Sequence, residues 1–259
     1  MHKPLSAFIG LRYLRAKRQN HFISFISLTS MLGIALGVTT LITVISVMNG
    51  FEGELRNRLL SMSAHGTVSA ADGAVDEWHA LVGDVSSEAG VTAAAPFVSM
   101  EGMVQAGGEL HGVVVHGVEP YFEQRLSGDL VNIVEGSLDV LQPGSRRVIL
   151  GRVLAFEIGA RIGDGVVLLV PRPVGDGTLE PVLERFELAG VFEAGLSDHD
   201  SVLALVHIAD AARVLGIGDA VTSVRFRADD VMAAPAVAAR LQARLGDAVT
   251  TSDWSIENA

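Results

Sequence analysis

Cysteine is absent from this chain of 259 residues, which excludes a disulfide framework and any thiolate metal site. Lysine is nearly absent: Lys3 and Lys17 stand near the N-terminus and none follows. Lysine-based catalysis is thereby removed from the rest of the chain. No Gly-x-x-x-x-Gly-Lys-Ser/Thr run occurs, so the chain carries no P-loop for ATP. Acids are missing from the first 51 residues, and from Phe22 to Phe51 there is no charge of either sign. A bilayer core needs about 20 apolar residues, so this run is long enough to span and to project beyond.

What is present divides around that run. Lys3, Arg12, Arg15, Lys17 and Arg18 precede it; the other 14 basic residues share the remaining chain with all 30 acidic ones. Basic flanks stay in the cytoplasm, which places residues 1–21 inside and everything after about residue 50 outside. The acidic outer portion argues against nucleic acid as a partner. The run is too long for a cleaved signal peptide and lacks a small-x-small cleavage pattern after a short core, so an uncleaved anchor is expected. Residues 4–20 put Leu5, Phe8, Ile9, Leu11 and Leu14 on one helical face and Arg12, Arg15 and Arg18 on another, as in an amphipathic segment on the inner membrane surface.

The membrane helix, expected over 22–50, carries small residues at helical spacing: Ser27, Ser30, Gly33, Gly37 and Thr40. Gly33-x-x-x-Gly37 lets another helix backbone approach closely, and no second apolar span follows in this chain. Partner helices are therefore expected from elsewhere. Phe51, Leu55 and Leu59 continue one helical face into a charged stretch, read as a stalk over 51–63, with Asn49-Gly50 as a candidate bend.

Beyond the stalk the pattern is mixed α+β. Strands are expected at His65–Ala71, Val91–Val98, Met100–Ala106, Leu110–Val118, Arg147–Leu150, Val166–Val170, Phe186–Glu193, Leu203–His207 and Ser223–Phe226, with a hairpin turn at Gly107-Gly108. Helices are expected at Val75–Glu88, Tyr121–Leu126, Gly151–Ile158, Ala209–Leu215 and Val231–Leu245. Pro171–Pro181, "PRPVGDGTLEP", reads as a loop between two strands.

Signs of chemistry are sparse. His111 and His116 are five apart on a strand, hence on opposite faces, and share no metal. Ser197, Asp198, His199 and Asp200 stand together, but a catalytic triad converges from distant positions. A polar turn is the favoured reading, and a membrane-anchored hydrolase the rival from another class.

The N-terminal text "FIGLRYLRAKRQNHFISFISLTSMLGIALGVTTLITVISVMNGFEGELRNRLL" resembles the start of the LolC/LolE family, the permease subunits of the lipoprotein-releasing ABC transporter. Gly190–Val224 resembles the return segment of the family's periplasmic domain, and "DWSIENA" the approach to its second membrane helix. The resemblance implies a MacB-like domain of two lobes: a mixed α/β porter lobe from 64–130 and 190–250, and an inserted β-rich lobe from 131–189. Residues 251–259 would lead to a second span. It implies a noncatalytic subunit at the bacterial inner membrane, N-terminus cytoplasmic and main domain periplasmic, with no cofactor of its own. ATP and Mg would belong to a partner ATPase. Further partners are a second permease subunit, a lipoprotein substrate and a periplasmic lipoprotein chaperone. Val44, Met48 and Phe51 become candidates to contact lipid chains. Pro171, Arg172, Pro173 and Val174 become candidates for a chaperone-docking hook, with a plain inter-strand turn as the equal alternative. An efflux permease of the same plan is the rival within the class.

Overall fold

The computed structural model describes residues 21–62, 64–71, 73–127, 132–174, 178–194 and 200–254. The basic segment expected over 4–20 lies outside these residues, as do the side chains of Leu55 and Leu59. The chain divides into two units near Asn57.

The first element, α1, is a single helix from His21 to Met62. Its stretch Phe25–Phe51 has 27 residues, a mean hydropathy of 2.2 and no buried side chain. At about 1.5 Å per residue it extends roughly 40 Å, more than the roughly 30 Å of a hydrocarbon core. The helix passes through Asn49-Gly50 without a break, so that pair does not interrupt it. Thr39, Thr40 and Thr43 donate their hydroxyls to the carbonyls of Ala35, Leu36 and Thr39 at 2.8, 2.9 and 2.8 Å. These threonines thus meet their own polar needs within an apolar setting.

The second unit is built on β1 (Gly66–Ala70), α2 (Trp78–Ser86), β2 (Val91–Ala106), β3 (Glu109–Val118), α3 (Pro120–Ser127), β4 (Asn132–Glu135), β5 (Arg147–Gly151) and α4 (Arg152–Glu157). After these come β6 (Gly165–Pro173), β7 (Leu179–Glu193), β8 (Leu203–His207), α5 (Ile208–Leu215), β9 (Ser223–Ala228), α6 (Ala234–Leu245) and β10 (Val249–Asp253). The strand order is β10-β1-β9-β2-β3-β8-β5-β7-β4, and β6 pairs with both β2 and β7. Hydrogen bonding therefore closes a ring of six strands, β2-β3-β8-β5-β7-β6. From β2 the strands β9, β1 and β10 continue as a wing. Alternate residues of the ring face its interior: Val104, Val113, Val115, Val148, Leu168 and Phe186 belong to one apolar core with Leu154 of α4 and Val214 of α5. A second cluster, Phe97, Val118, Ile149, Phe192 and Leu205, lies with Leu138 and Leu141.

The long strand β2 makes this arrangement possible. Its first half, Val91–Phe97, pairs with β9, and Met103–Gln105 pairs with β6 along the same edge. Between these partners Thr222 covers the edge, its hydroxyl accepting from Ser99 N at 3.1 Å. Two strands were expected here, divided near Ser99. Pro96 does not end the strand, because Phe97 and Ser99 bond toward the β9 side. The nitrogen of Pro96 thus faces the β3 edge, where β3 has already ended at Val118. A missing N–H there costs no ladder bond. Gly102 is required at the β6 crossing: a Cβ would meet the Leu169 carbonyl oxygen.

The ring takes β2, β3 and β8 from segments assigned to the porter lobe, and β5 and β6 from the segment assigned to the inserted lobe. β7, Leu179–Glu193, runs through 190, with a register shift against β5 between Leu188 and Gly190. Residues 251–253, expected as part of an approach to a second span, belong to β10, paired with β1 from Gly66↔Asp253 to Ala70↔Val249.

Candidate functional site

Two features answer to the sequence-derived candidates. The first is one stripe of α1. At about 100° per residue, Ser30, Gly33, Gly37, Thr40, Val44, Met48 and Phe51 fall within one face, with Ser27 at its margin. The candidate packing residues and the candidate lipid-contact residues thus share a stripe, small in its first half and bulky in its second. All are exposed, and nothing lies within 4 Å of a Cβ placed on Gly33 or Gly37. Thr40 offers a methyl rather than a free hydroxyl, since its Oγ1 donates to Leu36.

The second feature is an arm of β6 and β7. Pro171–Pro181, expected as a loop, is mostly strand: Pro171 pairs with Pro181, Arg172 with Glu180 and Pro173 with Leu179. Val174 N donates to Thr178 O at 2.9 Å across the tip. The prolines are tolerated for a geometric reason. Leu169 faces β2, and Glu187 N donates toward β5 to Arg146 O. Residues of the same parity, Pro171, Pro173 and Pro181, therefore turn their nitrogens to edges that no strand pairs among the described residues. Proline at such an edge also blocks unwanted strand addition. Arg172 Nη2 meets Glu180 Oε2 at 2.9 Å, joining the two strands.

One face of the arm is apolar and open. The register places Met103, Leu169 and Leu183 in a row across β2, β6 and β7. Leu179 is 61% exposed and Leu183 66%. Pro171, Pro173 and Pro181 share this face. The sequence reading missed Leu179, Leu183 and Met103; the alternation Leu179, Pro181, Leu183 was the available signal.

The remaining polar candidates have structural duties. Ser197, Asp198 and His199 lie outside the described residues. Asp200 is buried and its Oδ1 accepts from Ala194 N at 2.8 Å, closing the base of that segment. His111 stands 3.7 Å from Glu157 and 3.8 Å from Glu109; the ring of His116 packs edge-on to Phe97. Among the described residues no cluster of three His, Asp or Glu could hold a metal. A shallow pocket of about 270 Å³ beside α3 is lined by Glu123, Ser127, Leu138 and Leu205, with Glu123 already engaged by Ser127 and Arg225.

The two ends of the globular unit meet. β1 and β10 are antiparallel neighbours, and Trp254 N donates to His65 O at 3.3 Å. His65 is buried, and its Nδ1 accepts from Ala228 N at 3.1 Å. Burial, with the nearby Arg227 cation second, holds its imidazole below the usual pKa; Asp230 opposes them.

Similarity to known proteins converges with this architecture. Residues 27–244 match the MacB-like periplasmic core domain. The lipoprotein-releasing system transmembrane protein LolC of Xylella fastidiosa (strain Temecula1 / ATCC 700964) is 43% identical over 100% of this chain and 62% of its own length. LolC of Neisseria meningitidis serogroup B is 38% identical over 98% of this chain and 62% of its own. LolE of Haemophilus influenzae is 32% identical over 88% and 56%. The chain thus spans about three-fifths of the length of these relatives. The periplasmic region of MacB from Actinobacillus actinomycetemcomitans covers 77% of this chain and 95% of its own at 12% identity and a TM-score of 0.48; the assignment rests on the sequence matches. With an N-terminal helix apolar enough to span a membrane and a domain matched across both of its sheet regions, the chain belongs to the MacB-like periplasmic core domain family, in its LolC/LolE branch.

Proposed function

We propose that this chain serves in a noncatalytic permease subunit of an ABC transporter that releases outer-membrane-destined lipoproteins from the inner membrane to a periplasmic chaperone. The observation that carries the reading is identity of 43% with a lipoprotein-releasing transmembrane protein along the whole chain. In this reading the positively charged N-terminus is cytoplasmic and the globular unit periplasmic. ATP and Mg are bound by a separate ATPase subunit, and α1 packs its small-residue stripe on helices of the same transporter. Val44, Met48 and Phe51 meet lipid chains at the outer end of that stripe. The unbroken helix through Asn49-Gly50 suits the passage of motion from the membrane to the domain.

The β6–β7 arm is the proposed chaperone contact. Its open apolar face and proline-stiffened strands support this, because a rigid arm loses little freedom on docking. The experiment is complementation: the full-length protein is expressed in a Gram-negative host depleted of its own permease subunit, together with its ATPase and second permease. Restored delivery of lipoproteins to the outer membrane is expected. Lipoproteins that stay in the inner membrane, despite normal assembly of the complex, would reject the reading. Restored export of a small molecule without lipoprotein release would favour the efflux alternative instead.

A further inference from the structure

The β6–β7 arm has a second face, turned toward the body of the globular unit. Side chains along each strand alternate between faces. Val170 pairs with Val182 and Arg172 with Glu180, so these four share the face opposite Leu169, Pro171, Pro181 and Leu183. Val170 is buried in the main core, and Val182 packs against it. Arg172 comes next along that face and lies over the end of α5. A Cβ placed on Gly216 would be 3.2 Å from Arg172 Cδ and 3.5 Å from its Nη1. Gly216 closes α5 in the left-handed conformation, φ 74° and ψ 24°, which glycine adopts readily. The guanidinium thus stands at the carboxyl end of a helix, where a cation is favoured, while its Nη2 holds Glu180 at 2.9 Å.

α5 is a firm support for such a contact. It packs on β2, β3 and β8 as well as on β6, and its Ile208, Ala211 and Val214 belong to the main core. Gly117 of β3 leaves room for Ala211 to approach the strand. The arm needs that support. β2 leaves β6 at Leu169, and β5 joins β7 only at Glu187. From Val170 to Val182 the two strands pair with each other alone among the described residues. Past the two valines, Arg172 joins the arm to α5. Its side chain is 31% exposed, and it faces away from the open apolar face.

We propose that Arg172 is a positioning residue: it braces the arm on the carboxyl end of α5 and so sets the angle at which the apolar face meets the chaperone. It does this without touching the chaperone itself. Gly216 is the other half of the brace, since a side chain there would press on the arginine stem. With the brace removed, the arm turns about Val170 and Val182 and spends only part of its time at the binding angle. Apparent affinity then falls by that fraction. The proposal rests on the reading of the arm as the chaperone contact.

The test uses the full-length protein in its assembled transporter. Spin labels are placed on cysteines introduced at Thr178, at the arm tip, and at the exposed Ala239 of α6, in a protein with no other cysteine. The distance between them is measured by pulsed electron resonance, and chaperone affinity is measured on unlabelled protein. One narrow distance is expected for the wild type. Arg172→Met keeps the stem without the charge; Gly216→Asn lies outside the arm and suits the left-handed conformation. Both should broaden or shift the distance and weaken the chaperone at least fivefold, by the factor by which the wild-type distance loses population. Saturating chaperone should restore the narrow distance, and Arg172→Lys should keep most of the affinity. Affinity lost at an unchanged distance, or a changed distance at wild-type affinity, would overturn the inference and leave the arm as the contact. So would no change in either. Wild-type affinity in the Leu179→Asp, Leu183→Asp variant would instead remove the arm from the contact, and this inference with it.

Discussion

The ion pair between α3 and β9 offers a strong test of how the globular unit is held together. Arg225 Nη2 meets Glu123 Oε2 at 2.5 Å, and the two side chains are 13% and 8% exposed. Ser127 Oγ donates to the other Glu123 oxygen at 2.5 Å. The guanidinium also lies 3.7 Å from the centroid of Phe97. Removing one partner strands a largely desolvated charge, at a cost of about 3–5 kcal/mol. Glu123→Ala should therefore destabilise by about that amount, which for a unit of this size is a fall in Tm on the order of 10 °C. Replacing both, as Glu123→Leu with Arg225→Met, should recover at least half of the loss, because the stranded charge is gone and Phe97 keeps an apolar neighbour. The assay is denaturant unfolding of the full chain in detergent followed by tryptophan emission. Trp78 and Trp254, the two tryptophans of the chain, both lie in the globular unit. A loss under about 1 kcal/mol for Glu123→Ala, typical of an exposed pair, or a double variant no more stable than the worse single one, would refute the reasoning.

Other expectations follow from single contacts. Gly102→Ala should press β6 away from β2 through the Leu169 carbonyl, costing about 1–3 kcal/mol; amide exchange at Val167 and Leu169 should rise well before exchange in β9, and unchanged protection would count against it. Stability should fall as pH drops below about 6.5: the unfolded chain protonates His65 while the folded one holds its pKa down. The slope from this group is at most about 1.4 kcal/mol per pH unit, and His65→Gln should flatten it; an equal slope in the variant would place the effect elsewhere. Arg172→Glu breaks an exposed pair with Glu180 and should cost under about 1 kcal/mol in folding. It should nonetheless weaken chaperone binding to the intact transporter at least tenfold, measured by surface plasmon resonance; wild-type affinity would remove the arm from the proposed contact.

Legibility in the sequence followed how directly a pattern maps onto one structural cause. The α1 span was plain because an uncharged run of that length has few alternative uses, and Leu203–His207 of β8 was read to its exact ends because it is short, apolar and buried. β10 was missed: Thr250, Thr251 and Ser252 line a polar edge strand whose signal is its pairing with β1, not its composition. The arm was read as a loop because three prolines usually interrupt a strand. Whether proline interrupts depends on which edge its nitrogen faces, and that is fixed only once β2, β5 and β6 are in register. Asn49-Gly50 looked like a bend for the converse reason, since local turn propensity did not prevail within a 42-residue helix. The small-residue stripe was legible at once, and among the described residues nothing lies within 4 Å of a Cβ placed on Gly33 or Gly37.

The central claim is tested most directly by release from proteoliposomes. The full-length protein is reconstituted with its paired permease, its ATPase and a fluorescent, triacylated lipoprotein, and the periplasmic chaperone is supplied outside. The account predicts ATP-dependent transfer of the lipoprotein to the soluble chaperone, lost when the subunit carrying this chain is left out and strongly reduced by Gly33→Leu, Gly37→Leu in α1. Lipoprotein that remains in the membrane with ATP hydrolysis intact, or transfer that proceeds equally without this subunit, would contradict it.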